Sequence, residues 1–319
     1  MISPVATSQS SFCRMAVADF NLDGKLDIAY DARSVFMMLG NGAGSFVGNG
    51  SVVLPLSIGV AAGDLDSDGL PDVVATNDTA GLALLLNAGG GALFPPVALP
   101  DANRPTDVAI ADLDGNGMND IVAANGQLSD VSVLLASAPA SFLPTVTYSE
   151  PSVTYSVIRN IRIADIDADG ILDVATSAHY DDGALLRFGT GSGALGAPLR
   201  LPTNSNGAGA FGIADLNQDG VLDFVVGDFG SLTIYLAAGP GSFTTYTNWF
   251  PTSAMTLAAG DFNEDGRVDA AESLYSIGIS IYLGSPGAPS FNRPTPTRPG
   301  RCRATCARPT SPATATSTS

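Results

Sequence analysis

An acidic nine-residue pattern occurs six times along the 319-residue chain, and it constrains the fold more than any other feature. Each copy has aspartate or asparagine at its first, third and fifth positions, glycine at its sixth and aspartate at its ninth. The copies, called here loops 1 to 6, begin at Asp19, Asp64, Asp112, Asp165, Asp215 and Asp261. They are spaced 45 to 53 residues apart, a period typical of propeller blades and solenoid repeats.

The spacing of these side chains predicts calcium sites. Oxygen ligands at alternate positions of a tight turn suit Ca²⁺, which takes about six to eight oxygen atoms. The sixth glycine allows the sharp turn, and the absence of Cys and His from the loops disfavours softer metals. We predict up to six Ca²⁺ ions, held by the first, third, fifth and ninth side chains. These ligands are Asp19, Asn21, Asp23 and Asp27; Asp64, Asp66, Asp68 and Asp72; Asp112, Asp114, Asn116 and Asp120; Asp165, Asp167, Asp169 and Asp173; Asp215, Asn217, Asp219 and Asp223; Asp261, Asn263, Asp265 and Asp269.

Two other interpretations of the loops compete with this one. An EF-hand requires a glutamate at the twelfth position and helices on both sides. Only loop 6 has that glutamate, Glu272, and flanking segments such as Ile121-Val122-Ala123 have the length and composition of strands. A metal-free turn rich in Asp, Asn and Gly is the second alternative. Because the ninth aspartate is kept in all six copies, we favour the metal site.

The net charge is explained largely by the same loops. The chain has 31 acidic and 14 basic residues, giving a net charge of −17, and twenty of the acidic residues are the predicted ligands. Six bound Ca²⁺ ions would reduce this charge to −5. Such an acidic chain is not expected to bind nucleic acid, which requires a basic surface.

Four apolar stretches accompany each loop. In the second repeat they are Val60–Gly63, Asp72–Ala75, Leu82–Leu86 and Val97–Leu99. Four short antiparallel strands per repeat predict an all-β fold, a β-propeller of four-stranded blades. The small residues of the first stretch suit the crowded innermost position. A linear β-solenoid is the alternative, although its repeats are shorter.

The first loop and the turn that follows it resemble a known repeat. Ala18–Ala29 reads ADFNLDGKLDIA, and Leu39–Phe46 reads LGNGAGSF. Both segments are similar to the FG-GAP or VCBS repeat of bacterial secreted proteins and to the calcium-bearing blades of the integrin α-subunit propeller. The resemblance covers residues 1 to about 291. It implies a β-propeller with Ca²⁺ in its hairpin loops. Leu195, in place of a phenylalanine, and Gly115 in loop 3 are departures from the pattern.

The number of blades is predicted from the ends of the chain. We expect six blades in a closed ring formed by residues 1–291, with Val5-Ala6-Thr7 as the outer strand of the last blade. A truncated seven-bladed ring is the alternative, because integrin-like propellers have seven. Residues 292–319, rich in Pro, Thr, Ser and Arg, are predicted to form a disordered tail.

The cellular location is predicted from the proposed metal. Three cysteines, Cys13, Cys302 and Cys306, cannot form a disulfide framework. The sequence contains neither a signal peptide nor an apolar run of the roughly 18 residues that span a membrane. Because Ca²⁺ is abundant outside cells, we expect an extracellular or cell-surface protein.

The predicted function is recognition rather than catalysis. We expect a monomeric, lectin-like adhesion or recognition module for an extracellular protein or glycan. The alternative is a carbohydrate-active enzyme, a lyase or hydrolase, on a propeller scaffold. We predict no enzymatic activity, since no catalytic motif is found and the one histidine, His179, is expected in a loop. The longer connections on the face opposite the acidic loops are predicted to be Asp101–Thr106, Glu150–Asn160, Thr203–Ala210 and Trp249–Ser253. Tyr155, Trp249 and Phe250 in these connections are the candidate binding residues, although Trp249 could instead pack between blades.

Overall fold

The computed structural model describes most of the chain. The described residues are 14–32, 34–54, 57–77, 81–99, 104–126, 130–149, 157–179, 183–203, 210–227, 229–274, 278–284 and 295–297. Throughout these ranges the regular secondary structure is β-strand, with no helix. In the same ranges we find no helix with the length and hydrophobicity needed to cross a bilayer.

The strands form six four-stranded antiparallel blades arranged in a ring, as the sequence predicted. Blade 1 contains β1 (Met15–Ala18), β2 (Asp27–Asp31), β3 (Val35–Gly40) and β4 (Phe46–Val52). Blade 2 contains β5 (Val60–Gly63), β6 (Asp72–Asn77), β7 (Gly81–Leu85) and β8 (Val97–Leu99). Blade 3 contains β9 (Pro105–Ala111), β10 (Asp120–Asn125), β11 (Asp130–Leu134) and β14 (Val146–Ser149), with a small ribbon of β12 (Ala136–Ala138) and β13 (Ser141–Phe142).

The second half of the ring follows the same plan. Blade 4 contains β15 (Val157–Ala164), β16 (Asp173–His179), β17 (Gly183–Arg187) and β18 (Leu199–Leu201). Blade 5 contains β19 (Ala210–Ala214), β20 (Asp223–Gly227), β21 (Phe229–Gly239) and the first part of β22 (Ser242–Gly260). Blade 6 contains the rest of β22, β23 (Asp269–Leu274), β24 (Gly278–Tyr282) and β25 (Thr295–Thr297).

Strand β22 connects blades 5 and 6 without a loop. Its residues up to Ser253 pair with β21, and its residues from Ala254 onward pair with β23. The sequence analysis predicted a binding connection around Trp249 and Phe250. The backbone there is instead a continuous strand, so this part of the prediction is wrong.

The outer strand of blade 6 also differs from the prediction. Strand β25 pairs with β24, with Ile279 opposite Thr297, so the C-terminal side of the chain occupies the position expected for the N-terminal segment. Val5-Ala6-Thr7 lies outside the described residues. Strand β25 also lies beyond residue 291, the predicted end of the propeller. Of the predicted tail, residues 292–319, only this strand is among the described residues.

The apolar core lies between successive blades. Phe20, Val35 and Met37 of blade 1 pack with Val73 and Leu85 of blade 2, and all five are buried. The second and third strands of blade 2 are buried at nearly every position, because both faces of the blade contact neighbouring blades. This explains why Val73–Ala75 and Gly81–Leu85 are apolar runs rather than alternating apolar and polar residues.

Candidate metal centres

Each acidic loop joins the innermost strand of its blade to the second strand. The first aspartate directly follows the innermost strand, and the ninth aspartate is the first residue of the second strand. In loop 2, for example, Gly63 pairs with Asp72 across the hairpin. The strands on both sides of the loops exclude the EF-hand alternative.

The carboxylate of the first aspartate accepts hydrogen bonds from backbone N–H groups later in the same loop. In loop 1, Asp19 accepts hydrogen bonds from the backbone N–H of Asp23 (3.0 Å) and of Gly24 (2.7 Å). The bond from the sixth glycine is present in all six loops, with N–O distances of 2.7 to 2.9 Å. These bonds give the loops one shared backbone shape.

The ninth aspartate ties the loop to the rest of its blade. It is almost fully buried in every loop. One carboxylate oxygen accepts the N–H of the second loop residue, and the other accepts an N–H near the end of the third strand. The twelve N–O distances are 2.7 to 3.0 Å. In loop 2 the donors to Asp72 are Leu65 and Asn87. This residue therefore has a structural role in addition to its predicted metal role.

The backbone of each loop is left-handed at two positions. The sixth glycine has a φ of 79° to 89°. The fourth residue also has a positive φ, which is 56° at Leu22 and 64° at Ser67, although residues other than glycine rarely adopt this conformation. This requirement was not predicted from the sequence. Gly115, noted there as a departure, occupies the fourth position of loop 3 with a φ of 73°, so it is the residue best suited to the site.

Three loops gather three carboxylates at one point. The first, third and ninth side chains of loops 2, 3 and 4 each offer an oxygen, and the three oxygens lie within 4.8 Å of one another. These groups are Asp64, Asp66 and Asp72; Asp112, Asp114 and Asp120; Asp165, Asp167 and Asp173. The fifth residues lie outside the groups. Asp68 and Asp169 instead accept the backbone N–H of the seventh residue, at 2.8 Å in both loops.

Loops 1, 5 and 6 differ because their third residue is asparagine. In the described parts of the chain they form no such group of three acidic side chains. The amides of Asn217 and Asn263 donate to the carboxylates at the fifth position, Asp219 (2.8 Å) and Asp265 (3.1 Å). Loops 1 and 6 also contain a cation at the seventh position. Lys25 Nζ lies 3.1 Å from an oxygen of Asp23, and Arg267 forms a similar pair.

The clustered carboxylates are electrostatically unfavourable without a cation. Burial raises the pKa of Asp72 to about 6, against the hydrogen bonds from Asn87 and Leu65, and the charges of Asp66 and Asp68 raise it further. Burial, with the neighbouring charge of Asp68, also raises the pKa of Asp66. The pKa values of Asp167 and Asp173 in loop 4 are raised for the same reasons. A bound divalent cation would relieve both effects.

Asp167 provides the direct test of whether the residues suit a metal. Its Oδ1 atom is shielded from solvent and accepts no hydrogen bond from any residue that the structure describes. A buried carboxylate oxygen without a partner costs free energy. It belongs to a side chain that the structure places with Asp165 and Asp173. The donor set consists of oxygen atoms alone, which is the chemistry that Ca²⁺ prefers.

Little of the predicted binding face falls within the described residues. Tyr155, with the rest of segment 150–156, and the whole of segment 204–209 lie outside them. Trp249 and Phe250 lie in β22, and His179 is the last residue of β16 rather than a loop residue. The side chains of these three residues are outside what the structure describes.

Comparison with protein families assigns the repeats. A family model for the FG-GAP-like repeat matches residues 19–75, 64–123, 112–176, 165–226 and 215–271, and these matches together span most of the chain. The chain belongs to the FG-GAP repeat family. Each match runs from the first aspartate of one acidic loop to the strand after the next loop. The family model and the sequence pattern therefore give the same repeat boundaries. A search of curated proteins gives no significant match.

Solved structures share the fold of this FG-GAP repeat protein. An Agrocybe aegerita lectin that recognises non-reducing terminal N-acetylglucosamine superimposes with a TM-score of 0.65 and 18% identity, covering 90% of this chain and 80% of the lectin. BBS1N, in complex with ARL6DN, gives 0.60 and 11%, covering 88% and 81%. A Lactobacillus plantarum protein gives 0.57 and 14%, covering 83% and 79%. At these identities the similarity establishes the fold alone.

Proposed function

We propose that this FG-GAP repeat protein is an extracellular, calcium-binding recognition module. Cations in the acidic loops brace one face of the ring, and the opposite face binds a glycan or a protein. The observation that carries the calcium part is the set of three carboxylate groups in loops 2 to 4, together with the unpartnered Oδ1 of Asp167.

The residues that would hold the ion are also those that hold the hairpin. The first aspartate ends the innermost strand and the ninth begins the second strand, so an ion bound by both would link the two. Bound Ca²⁺ would supply positive charge that neutralises these carboxylates. The chain itself supplies the preformed loop, through the hydrogen bonds to the first aspartate and the two left-handed residues.

Two of the structural neighbours support a recognition role. The lectin recognises terminal N-acetylglucosamine, and BBS1N is found in complex with a protein, ARL6DN. Both use a scaffold of the same shape as this ring. We therefore propose a binding function for this chain without an enzymatic one, with a glycan as the first ligand class to test.

Thermal unfolding of the full chain tests the calcium part of the proposal. Extracellular calcium modules bind with dissociation constants of roughly 0.1 to 1 mM. At about 5 mM Ca²⁺, each occupied site would add about 1 to 2 kcal/mol to the free energy of unfolding. We expect a higher melting temperature in calcium than in chelator, and a smaller gain in magnesium. Equal melting temperatures in calcium and chelator would contradict the calcium part.

A glycan array probed in calcium and in chelator tests the recognition part. We expect binding to glycans in calcium that weakens in chelator, because the loops lose their bracing ions. The Asp167→Asn variant is the matched control. It removes one ligand charge from loop 4 alone, so we expect it to weaken glycan binding less than chelator does. If no glycan on the array bound in calcium, the choice of a glycan as ligand would be contradicted. Binding that is unchanged in chelator would contradict the link to calcium.

A further inference from the structure

The centre of the ring contains a cavity lined by the innermost strands of blades 1 to 4. Strand β1 contacts β5, β5 contacts β9, and β9 contacts β15. Together with Leu172 they line an open cavity of about 360 Å³, a size within the range of small-molecule sites. The described lining consists of Met, Ala, Val, Ile and Leu residues with one charged residue, Arg162.

The strands present their backbone edges to this cavity. Each of the four is the terminal strand of its sheet, so its outer edge carries N–H and C=O groups that the sheet does not use. Consecutive residues of each strand, such as Met15, Ala16 and Val17, line the space, as expected when an edge faces it. The cavity therefore combines apolar side chains with backbone donors and acceptors.

The guanidinium of Arg162 has N–H donors that the described residues do not use. Its Nη1 donates to the carbonyl of Ile161 at 2.7 Å, and this is the one hydrogen bond that its side chain makes to the described residues. Asp107 attracts it electrostatically and Arg14 repels it. The Oδ2 atom of Asp107, however, is already bound by Arg14 Nη1 at 3.2 Å and by the N–H of Ile161 at 3.0 Å.

Arg162 lies in the wall of this open cavity. Its side chain is exposed, yet burial by the surrounding protein lowers its pKa. These two observations agree if the guanidinium faces the cavity between the innermost strands. A guanidinium in such a place has a planar set of N–H donors that matches the two oxygens of a carboxylate.

We propose that the central cavity binds a small organic carboxylate, with its oxygens on the guanidinium of Arg162. The aliphatic part of the ligand packs against the side chains of β1, β5 and β9, and the strand edges accept or donate further hydrogen bonds. The apolar lining selects an organic carboxylate over an inorganic anion. The cavity borders loop 4 through Leu172, but none of the predicted calcium ligands lines it.

Isothermal titration calorimetry of the full chain with hexanoate tests this site. 1-Hexanol has the same chain without the charge, hexylamine reverses the charge, and inorganic phosphate is an anion without the chain. Because a hydrogen bond to a charged group contributes roughly tenfold or more to affinity, we expect hexanoate to bind about tenfold tighter than hexanol. Hexylamine and phosphate are expected to bind weaker still.

Substitution of Arg162 assigns the binding to the cavity. Arg162→Gln should weaken hexanoate binding about tenfold, and Arg162→Lys, which keeps the charge, should weaken it less. Arg200→Gln removes the same charge from the outermost strand of the same blade and should leave binding unchanged. Circular dichroism melting checks that each variant is folded. Equal affinity of the Arg162→Gln variant, equal binding of hexanol, tighter binding of phosphate, or no binding of hexanoate by the native chain would each overturn the proposal.

Discussion

Loops 2 to 4 and loops 1, 5 and 6 have the same backbone but differ in the residue at the third position. All six share the hydrogen bond from the sixth glycine to the first aspartate and the two bonds to the ninth aspartate. In loops 2 to 4 three carboxylates converge. In the others an asparagine takes the third position, and in loops 1 and 6 a lysine or arginine pairs with the fifth. Hydrogen bonding therefore sets the shape of the loops, and the third residue decides whether three carboxylates converge.

The largest difference is expected when the ninth aspartate is removed from one loop of each kind. Asp72→Ala and Asp269→Ala each remove acceptors for two backbone N–H groups, at a cost of about 2 to 4 kcal/mol in the free energy of unfolding. In calcium, Asp72→Ala should cost more, because loop 2 also loses its ion. Chemical denaturation in calcium and in chelator measures both costs. If Asp72→Ala and Asp269→Ala lowered the free energy of unfolding by equal amounts in calcium and also in chelator, the two kinds of loop would not differ in metal binding.

Exchanging the third residue should convert one kind of loop into the other. Asp167→Asn gives loop 4 the same four types of predicted ligand as loop 5. Asn217→Asp gives loop 5 the same four types as loop 4. Since ligand charge tunes calcium affinity, we expect a change of about tenfold in opposite directions. Calorimetric titration with Ca²⁺ measures it. A change in the same direction for both variants would contradict the role assigned to charge.

The cation at the seventh position should weaken loop 1 by a smaller amount. Lys25→Gln removes an exposed ammonium that competes for Asp23, and an exposed pair of this kind contributes about 0 to 1 kcal/mol. We expect a few-fold gain in calcium affinity at this loop. Arg200→Gln, which changes the net charge by the same amount far from the loops, serves as the control. An equal gain in calcium affinity in the Arg200→Gln variant would show that the effect comes from net charge and not from the pair with Asp23.

A further effect concerns the backbone that all six loops share. Leu22→Gly should stabilise the protein and Gly115→Ala should destabilise it, each by about 1 kcal/mol, because the fourth position requires a positive φ. Thermal unfolding in chelator measures both. If the two substitutions shifted the melting temperature in the same direction, the shared loop geometry would be wrong.

Much of the fold was predictable because its signals are local and repeated. The period of the acidic loops and the four apolar stretches gave six blades, and the ninth aspartate was identified from its constancy. Its two backbone partners were not predictable, since one of them, such as Asn87 for Asp72, lies 15 residues away on another strand. The asparagines that separate the two kinds of loop were visible in the sequence, but the convergence of the third and ninth side chains required the structure.

The incorrect predictions concern places where no repeated signal exists. The outer strand of blade 6 was assigned to the N-terminal segment because residues beyond Phe291 have the composition of a linker, yet Thr295–Thr297 pairs with β24. Trp249 to Ser253 was predicted to be a connection, whereas β22 continues through it. In both cases pairing with a neighbouring strand outweighed local composition. The fourth-position φ was missed because Leu22, Ser67 and Ala168 carry no residue signal for it.

Anomalous scattering from crystals grown in millimolar calcium is the most direct test of the central claim. We expect anomalous peaks between the first, third and ninth side chains of loops 2, 3 and 4, and weaker peaks or none in loops 1 and 6. Loops 2 to 4 without peaks, with their carboxylates hydrogen-bonded only to protein and water, would contradict the account.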